Sequence, residues 1–305
     1  MSSRFEVTIL GSSSATPTSR RFPTAQLLNV SERFFLIDCG EGAQIQLRRY
    51  KVRFQRINHI FISHLHGDHY LGLMGLISSM HLLGRKKELV IYSPKGLQEI
   101  VDVQLRISAT VLNYPVKWVE LNPEVPELIY EDSQITVTTV ILNHRIPCCG
   151  FLFREKKKLL SLDKARITED KVPVQAYFNL KSGDDFTDEN GRTFLSKDYT
   201  LPQSKSRSYA FCSDTRFDLR VAEQIEGVDL LYHEATFLHE LLDRAEKTAH
   251  STAKEAGIIA RTAKVQKLAI GHFSVRYNDM EPLLAEAKSE FANTEIADEG
   301  KLFQI

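Results

Sequence analysis

Apolar and polar positions along the chain predict strands that alternate with helices. Residues 5–10 alternate apolar and polar side chains, as a half-buried strand does, and apolar runs over residues 57–63 and 88–93 predict buried strands. Residues 71–83 have apolar side chains at helical spacing with little charge, which predicts a core helix, and residues 280–291 predict a last helix. Strands that lead through Gly-rich turns into helices are typical of a layered α/β fold.

Residues 154–207 interrupt this pattern. The segment contains a run of three lysines at 156–158 and several turn-forming residues, without strong periodicity. An insertion of this length inside a compact domain is usually functional or mobile. We therefore expect a single domain over residues 1–305 with an inserted flexible arm over about 154–207, and a lid or a disordered linker is the alternative for this segment.

Composition limits the classes of protein to consider. The 305 residues are 43% hydrophobic, enough for a substantial core, and 39 basic residues balance 39 acidic ones, so a polyanionic partner must be held by local patches. Four cysteines are few for this length and fit reduced thiols in the cytoplasm. The chain begins without the apolar run of a signal peptide and has no stretch near the ~20 apolar residues of a membrane helix. We expect a cytoplasmic protein with no membrane association.

Residues 63–72 are the densest chemical motif in the chain. They read Ser-His-Leu-His-Gly-Asp-His-Tyr-Leu-Gly and follow a predicted buried strand. Imidazole nitrogens and carboxylate oxygens bind Zn²⁺ and similar ions, and His64 and His66 on an extended segment can point at one ion. Asp68 and His69 follow at once and can reach a second ion, as in two-metal hydrolases.

Further strands are predicted within residues 129–143, at 208–212, 228–232 and 267–270, and near 296–297. Three further residues stand alone at the ends of such predicted strands. They are His144, Asp214 and His272. Taken singly, a histidine at a strand end is usually a solvated residue and a Ser-Asp-Thr sequence is usually a turn. If the strand ends converge on the His-rich segment, they complete seven ligands, which suffice for two ions when one carboxylate is shared.

The motif Ser-His-x-His-x-Asp-His-x-x-Gly, with later His, Asp and His at strand ends, resembles the metallo-β-lactamase superfamily. That resemblance implies an α/β protein, an αββα four-layer sandwich with a protruding arm. Within it, the chain is similar to the ribonuclease Z family of tRNA 3′-processing endonucleases. The similarity rests on Gly-Ser-Ser-Ser-Ala-Thr-Pro at 11–17, Phe-Leu-Ile-Asp-Cys-Gly-Glu-Gly at 35–42, His-Glu-Ala-Thr-Phe at 233–237, His-Ser-Thr at 250–252 and Gly-His-Phe-Ser-Val-Arg-Tyr at 271–277.

The resemblance implies two Zn²⁺ ions per subunit and a short-form enzyme that acts as a homodimer on precursor tRNA. Cleavage would leave a 3′-hydroxyl on the tRNA and a 5′-phosphate on the trailer. The implied roles are His64, His66 and His144 on one ion, Asp68, His69 and His272 on the other, Asp214 bridging both, Asp68 as proton acceptor, and His250 with Glu234 behind it handling protons near the leaving group.

Three of the remaining assignments are less direct. His250 precedes Ser251 or Thr252, which can cap a helix with Glu255 in the capping-box position, and capping alone explains that motif. Arg276 comes four residues after His272 and is placed to meet a phosphate near the cut. We expect Lys181, in the arm, to help hold the elbow of the tRNA, although the arm lacks the Gly- and Pro-rich tip of many short forms.

Two other functions remain open on the sequence. One is another hydrolase of the same superfamily that acts on a small phosphodiester or ester, because folds and metal centres are reused for unrelated reactions. The other is a nucleic-acid-binding subunit without catalysis. The complete ligand set argues against the second, and the arm with the His-Ser-Thr segment favours RNA over a small substrate.

Overall fold

The computed structural model describes residues 4–202 and 205–305, which form two compact units. The first unit contains Met1–Glu131, Thr136–Phe153 and Arg207–Ile305, and the second contains Asp132–Ile135 and Arg154–Ser206. All the predicted metal ligands belong to the first unit.

In the described ranges of the first unit, the first sheet has seven strands. The first strand pairs antiparallel with the second, and the second pairs antiparallel with the third. The third to sixth strands pair parallel with their neighbours in chain order. The C-terminal strand Leu302–Gln304 pairs antiparallel with the first strand and completes the sheet. The other six strands are β1 (Phe5–Gly11), β2 (Ala25–Val30), β3 (Arg33–Ile37), β4 (Ile57–Phe61), β5 (Leu89–Ser93) and β6 (Val116–Glu120).

A second sheet, also of seven strands among the described residues, follows along the chain. Its strands are β7 (Leu128–Glu131), β8 (Ile135–Ile141), β9 (Cys149–Glu155), β10 (Ser208–Cys212), β11 (Leu230–Glu234), β12 (Lys267–Gly271) and β13 (Thr294–Ile296). Strands β10 to β13 are parallel neighbours, with Cys212 opposite His233 and Glu234 opposite Gly271. The carboxyl ends of these strands therefore meet at one edge.

Helices cover the outer face of each sheet. The first sheet packs against α1 (Ala43–Arg49), α3 (Leu73–Leu82) and α4 (Leu97–Ile107), and the short helix α2 (Gly67–Tyr70) precedes α3. The second sheet packs against α5 (Leu219–Gln224), α7 (Ala253–Thr262) and α8 (Glu281–Glu290), and α6 (Leu242–Thr248) precedes α7. Single 3₁₀ turns occupy Phe54–Arg56 and His239–Leu241.

The two sheets face each other across an aromatic layer. Phe61 on the first sheet lies 5.3 Å from Phe151 and 5.5 Å from Phe153 on the second, measured between ring centroids, and all three are buried. Tyr209 donates a hydrogen bond across the layer to Gln26. The order is helix, sheet, sheet, helix, as the family resemblance implies.

The second unit has a small core of its own. It contains the helices Lys164–Glu169, Ala176–Ser182 and Ser196–Tyr199, the paired strands Ser161–Leu162 and Thr200–Leu201, and the paired strands Phe186–Thr187 and Thr193–Phe194. These elements are two to seven residues long, too short to give the sequence a clear period. Their buried side chains are Ile167, Val172, Ala176, Leu180, Phe194 and Tyr199.

Candidate active site

The His-rich segment leaves strand β4 in an extended conformation and enters α2. His66 is the N-cap of this helix, and Asp68 and His69 lie within it. The turn that follows β3 holds the helix in place, because Cys39 donates its N–H to the His69 carbonyl and accepts one from Gly72. A Cβ atom at Gly72 would lie only 2.1 Å from the Gly40 carbonyl oxygen, so this contact requires glycine.

His64, His66 and His144 form a first group of imidazoles. His66 Nδ1 lies 3.0 Å from His64 Nε2 and 3.2 Å from His144 Nε2. His144 reaches this position from the loop that follows β8. Three ring nitrogens thus converge on one small volume, as in a histidine-ligated metal site.

Asp68, His69 and His272 form a second group. Asp68 Oδ2 lies 3.3 Å from His69 Nε2 and 3.3 Å from His272 Nε2. His272 directly follows strand β12 and has a positive φ of 59°, which turns its side chain away from the path of the strand. The structure therefore brings together residues that are more than 200 positions apart in the sequence.

Asp214 lies between the two groups and is buried. Its Oδ2 is 3.5 Å from His64 Nε2 and 3.7 Å from His144 Nε2. Its Oδ1 is 3.4 Å from His69 Nε2 and 3.1 Å from His272 Nε2. One carboxylate thus presents a separate oxygen to each group, which is the arrangement expected of a ligand shared by two ions.

The other ring nitrogen of each buried histidine is held by a neighbour. His69 Nδ1 lies 2.7 Å from Asp38 Oδ2, His144 Nδ1 lies 2.8 Å from the Ala249 carbonyl, and His272 Nδ1 lies 3.0 Å from Thr236 Oγ1. Partners of this kind fix the ring orientation and direct the opposite nitrogen towards a metal. Among the described residues, His69 Nε2 is buried without a hydrogen-bond partner, and a metal ion at this position would accept its lone pair.

Electrostatics favour the metal-binding protonation state at His64, His144 and Asp214, whereas His69 differs: burial acts to lower its pKa, but Asp68, Asp214 and Asp38 raise it well above the usual value. Burial, together with the neighbouring imidazoles, lowers the pKa of His64 and of His144 to about 4, so both rings are neutral at pH 7. Burial acts to raise the pKa of Asp214, but the surrounding histidines, His272 and His69 above all, hold it well below its usual range. Neutral imidazoles and an ionised carboxylate are the ligand forms that bind divalent metals.

His250 and Glu234 form a separate hydrogen-bonded pair beside the metal ligands. His250 Nδ1 lies 2.9 Å from Glu234 Oε1, and Glu234 also accepts hydrogen bonds from Thr215 N at 2.9 Å and Thr236 Oγ1 at 2.6 Å. Burial disfavours the charged imidazole, but the carboxylates of Glu234 and Asp214 outweigh it and raise the pKa of His250 to about 9. His250 is therefore protonated at neutral pH. Thr252 is the N-cap of α7 and forms the expected capping box with Glu255.

Sequence reasoning missed several residues that support this site. Asp38 and Thr236 belong to motifs that mark the family resemblance, but their partners across the fold leave no trace in a linear pattern. The N–H of Ala15 donates to Asp68 Oδ2 at 2.7 Å and so orients that carboxylate. Asp38 and Ala15 both have positive φ, 54° in each case, which is unusual for residues other than glycine.

An open cleft of about 520 Å³ exposes these groups to solvent. Its lining includes Asp68, Asp214, His250 and Arg276. The Arg276 guanidinium lies 5.2 Å from the centre of the Phe237 ring, and its Nε donates to Ser274 Oγ at 3.1 Å. Lys181, by contrast, belongs to the second unit, on the helix Ala176–Ser182.

The four-layer fold and the paired His/Asp groups define a hydrolase of the metallo-β-lactamase fold. Among solved structures, the chain is similar to the short form of human tRNase Z (ELAC1), with a TM-score of 0.70, 25% identity and 98% of each chain covered. It is also similar to the metallo-beta-lactamase fold protein YhfI from Bacillus subtilis, with a TM-score of 0.71, 18% identity and full coverage of both chains. The predicted fold is confirmed.

Curated relatives match over almost the whole chain. Ribonuclease Z of Bacteroides fragilis strain YCH46 is 49% identical over 296 residues, covering 97% of both chains. Ribonuclease Z of Cytophaga hutchinsonii is 50% identical over 302 residues, covering 99% of this chain and 96% of the relative. The chain belongs to the ribonuclease Z family. The predicted family, and with it the prediction of an endoribonuclease of tRNA 3′ processing, is confirmed.

A family model described as "Anti-Pycsar protein Apyc1" matches residues 5–177. This match ends before six of the candidate site residues, whereas the ribonuclease Z relatives extend through all of them. The residues beyond the match are Lys181, Asp214, Glu234, His250, His272 and Arg276. In the part of the chain that the structure describes, no helix has the length and apolar character needed to cross a membrane.

Proposed function

We propose that the chain is a zinc-dependent endoribonuclease that removes the 3′ trailer from precursor tRNA. The cut leaves a 3′-hydroxyl on the tRNA and a 5′-phosphate on the trailer. The observation that carries the proposal is the position of Asp214, which presents one oxygen to each group of histidines. Membership of the ribonuclease Z family supports the choice of substrate.

The two groups fit two divalent ions. The ligand atoms within each group lie within 4.8 Å of one another, and nitrogen with carboxylate oxygen is a ligand set that suits Zn²⁺. When bound, the ions lower the pKa of a water towards ~7 and neutralise charge that develops on the phosphoryl oxygens. The proposed ligands are His64, His66 and His144 on one side, Asp68, His69 and His272 on the other, and Asp214 between them.

Asp68 is the proposed proton acceptor. It lines the cleft, and the hydrogen bond from Ala15 N fixes its carboxylate. Burial acts to raise the pKa of Asp68, but His69 and His272 hold it well below its usual range, so it is ionised at neutral pH. An ionised, oriented carboxylate in this position accepts the proton of the attacking water.

His250 is the proposed proton donor to the leaving group. The leaving group is the ribose 3′-oxygen, which departs poorly unless it is protonated. Glu234 holds His250 Nδ1, which leaves the N–H at Nε2 as the donor available to substrate. His250 also lies near Asp214, with Nδ1 3.9 Å from Oδ2, but its bond to Glu234 favours proton transfer over metal binding.

We assign the precursor tRNA contacts to Arg276 and to the arm. Arg276 is exposed on the lining of the cleft, where it can meet a phosphate near the cut. In the arm, Phe178 is 72% exposed on the same short helix as Lys181. An exposed aromatic ring beside a lysine suits contact with folded RNA, because the ring can stack on a base and the lysine can pair with a phosphate. The arm is therefore the proposed tRNA-binding exosite.

We further propose a cytoplasmic homodimer. The four cysteines are free and buried, which fits a reducing compartment. Exposed apolar side chains stand at the C-terminal ends of α3 and α4, and Asn113 N donates to His81 Nδ1 at 3.1 Å, which joins the segment after α4 to α3. These side chains are Leu82, Leu83, Ile107 and Val111, exposed by 56% to 84%. An apolar patch of this kind favours association with a second copy.

Incubation of the protein and Zn²⁺ with a precursor tRNA that carries a 3′ trailer tests the proposal. We expect cleavage beside the discriminator base and its loss in Asp68→Ala. Hydrolysis of a small phosphodiester without cleavage of the precursor would instead indicate another hydrolase of the same fold. RNA binding without any Zn²⁺-dependent hydrolysis would indicate a binding subunit.

A further inference from the structure

The charges on the walls of the cleft are distributed unevenly. Among the described residues, the carboxylates that line the cleft are Asp68 and Asp214, both proposed metal ligands. Apart from His250, the other charged side chains on its lining are arginines: Arg145, Arg244 and Arg276. Bound ions would offset the two carboxylates, so the walls around the metal centre present positive charge to a substrate.

Arg145 and Arg244 come from separate segments that meet at His144. Arg145 directly follows His144 in the loop between β8 and β9, and Arg244 lies in α6. The residue that follows α6, Ala249, accepts a hydrogen bond from His144 Nδ1, at 2.8 Å. The same contact that orients a proposed metal ligand thus brings the helix that carries Arg244 up to the cleft.

Both side chains are exposed. Over residues 4–202 and 205–305, neither guanidinium takes part in a hydrogen bond or an ion pair within the chain. The nearby Arg216 differs, since its Nε donates to the Glu246 carbonyl at 3.2 Å and its backbone N–H donates to the Asn143 carbonyl. Arg216 therefore supports the loop, whereas Arg145 and Arg244 have no such structural contact.

We propose that Arg145 and Arg244 bind backbone phosphates that flank the scissile phosphate, so that the substrate is held by three arginines rather than by Arg276 alone. This inference rests on the proposed function. Guanidinium groups pair with phosphate through several parallel N–H donors, and each contact adds affinity without reading sequence. The contacts position the RNA over the metal centre.

The charge of a neighbouring cavity supports a path for the RNA along the arginine-lined cleft. The cavity has a volume of about 640 Å³ and is lined by Glu120, Glu124 and Glu127, with Lys95. Leu65, which separates His64 from His66, also lines it. Three carboxylates against one lysine repel a phosphate backbone, so the RNA strand follows the arginine-lined cleft and avoids this cavity.

The double variant Arg145→Ala/Arg244→Ala tests the proposal in steady-state cleavage of precursor tRNA. We expect KM to rise roughly tenfold, with a much smaller change in kcat. We also expect the slope of log(kcat/KM) against log salt concentration to become shallower by about 1.4, since each single-strand phosphate contact contributes ~0.7. The variant Arg145→Lys/Arg244→Lys should recover most of the lost affinity for precursor tRNA, because it keeps both charges.

Two controls separate this effect from damage to the fold or to the metal centre. Arg106→Ala removes an exposed arginine on α4, away from the cleft, and should leave KM for precursor tRNA and the salt slope as in the wild type. The loss in kcat/KM should be at least about fivefold larger for precursor tRNA than for bis(p-nitrophenyl) phosphate, which has no flanking phosphates.

An unchanged KM and an unchanged salt slope in the double variant would overturn the assignment of these two arginines. Equal losses on both substrates would also overturn it, because they would place the defect in the metal centre. If the wild-type protein with Zn²⁺ fails to cleave precursor tRNA, the proposed function itself fails, and that outcome is visible before any variant is made.

Discussion

At the scale of single residues, the candidate site consists of pairs: one residue is a proposed metal ligand or proton-transfer group, and the other orients it through a hydrogen bond. Asp38 holds His69, Thr236 holds His272, Glu234 holds His250, and the N–H of Ala15 holds Asp68. The spacing of ligands along the sequence does not identify Asp38, Thr236 or Ala15, because their hydrogen bonds to the proposed ligands form only in the folded chain. Partners of this kind raise metal affinity, because they fix the orientation and the basicity of the ligand.

Asp38→Asn should lower the affinity for Zn²⁺ by roughly 10- to 100-fold, the range typical for partners of metal-bound histidines. The amide keeps the size of the side chain but removes the charge that faces His69 Nδ1. Competition with a chelator of known affinity measures the effect. Asp102→Asn, an exposed position on α4, is the matched control, and equal Zn²⁺ affinity in the two variants would contradict the role of Asp38.

His250→Ala should lower kcat for precursor tRNA by about 10²- to 10⁴-fold, as expected for loss of a general acid. A substrate whose leaving group is a nitrophenolate needs no such proton, so the variant should hydrolyse bis(p-nitrophenyl) phosphate at a rate much closer to that of the wild type. Parallel kinetics with both substrates measure the difference. A similar loss on both would assign His250 to the metal centre instead.

At the scale of elements, the site lies where strands end. Residues 208–212, 228–232 and 267–270 are predicted as strands, and the structure has them at Ser208–Cys212, Leu230–Glu234 and Lys267–Gly271. Their apolar runs identify them because both faces of the sheet are buried. Parallel pairing then brings Asp214, Glu234 and His272 to one edge, a consequence that the individual segments do not reveal.

Other elements were predicted less well for identifiable physical reasons. The helix predicted at residues 71–83 begins at Leu73, because α2 takes up the preceding turn and carries Asp68 and His69. The sequence pattern does not predict α6, which buries only Ala245, or the strand Leu302–Gln304, which has three residues. The strand predicted near residues 296–297 lies at Thr294–Ile296. Elements with so little buried surface have weak patterns.

The C-terminal segment provides a test of stability at this scale. The Glu299 carboxylate accepts hydrogen bonds from Phe22 N and, at 2.7 Å, from Gln46 Nε2, and burial raises its pKa to about 7. The folded state then binds this proton more tightly than the unfolded state. Between pH 4.5 and 7 the contribution of Glu299 to the free energy of unfolding should therefore fall as the pH rises.

Glu299→Gln should remove this pH dependence. Denaturant titrations of the wild type and the variant at pH 5 and pH 8 measure it, and the stability of the wild type relative to the variant should be greater at pH 5. Glu281→Gln, at an exposed position in α8, is the control, and its free energy of unfolding should depend on pH as that of the wild type does. A difference between wild type and Glu299→Gln that is independent of pH would contradict the account.

At the scale of the whole molecule, the proposed catalytic groups and the arm belong to different compact units. A layered α/β fold and the dense ligand segment could be predicted from residue patterns, whereas the metallo-β-lactamase fold and the roles of the seven candidate ligands followed from the family resemblance. The fold of the arm could not, because its core consists of six buried side chains spread over short elements. The arginine-lined cleft also depends on tertiary packing.

Deletion of residues 156–205 should weaken binding of precursor tRNA by at least about tenfold, because it removes the lysines and exposed aromatic ring of the proposed exosite. Hydrolysis of bis(p-nitrophenyl) phosphate should be largely retained, since the proposed metal ligands lie outside the deleted segment. Filter binding and diester kinetics measure the two effects. An unchanged tRNA affinity would refute the exosite.

The central claim is that Asp214 joins two metal sites in one catalytic centre. Anomalous diffraction at the zinc edge from crystals of the Zn²⁺-loaded protein tests it most directly. We expect two zinc peaks per chain, one beside His64, His66 and His144 and one beside Asp68, His69 and His272, with an oxygen of Asp214 bound to each. A single peak, or two peaks with Asp214 bound to neither, would contradict it.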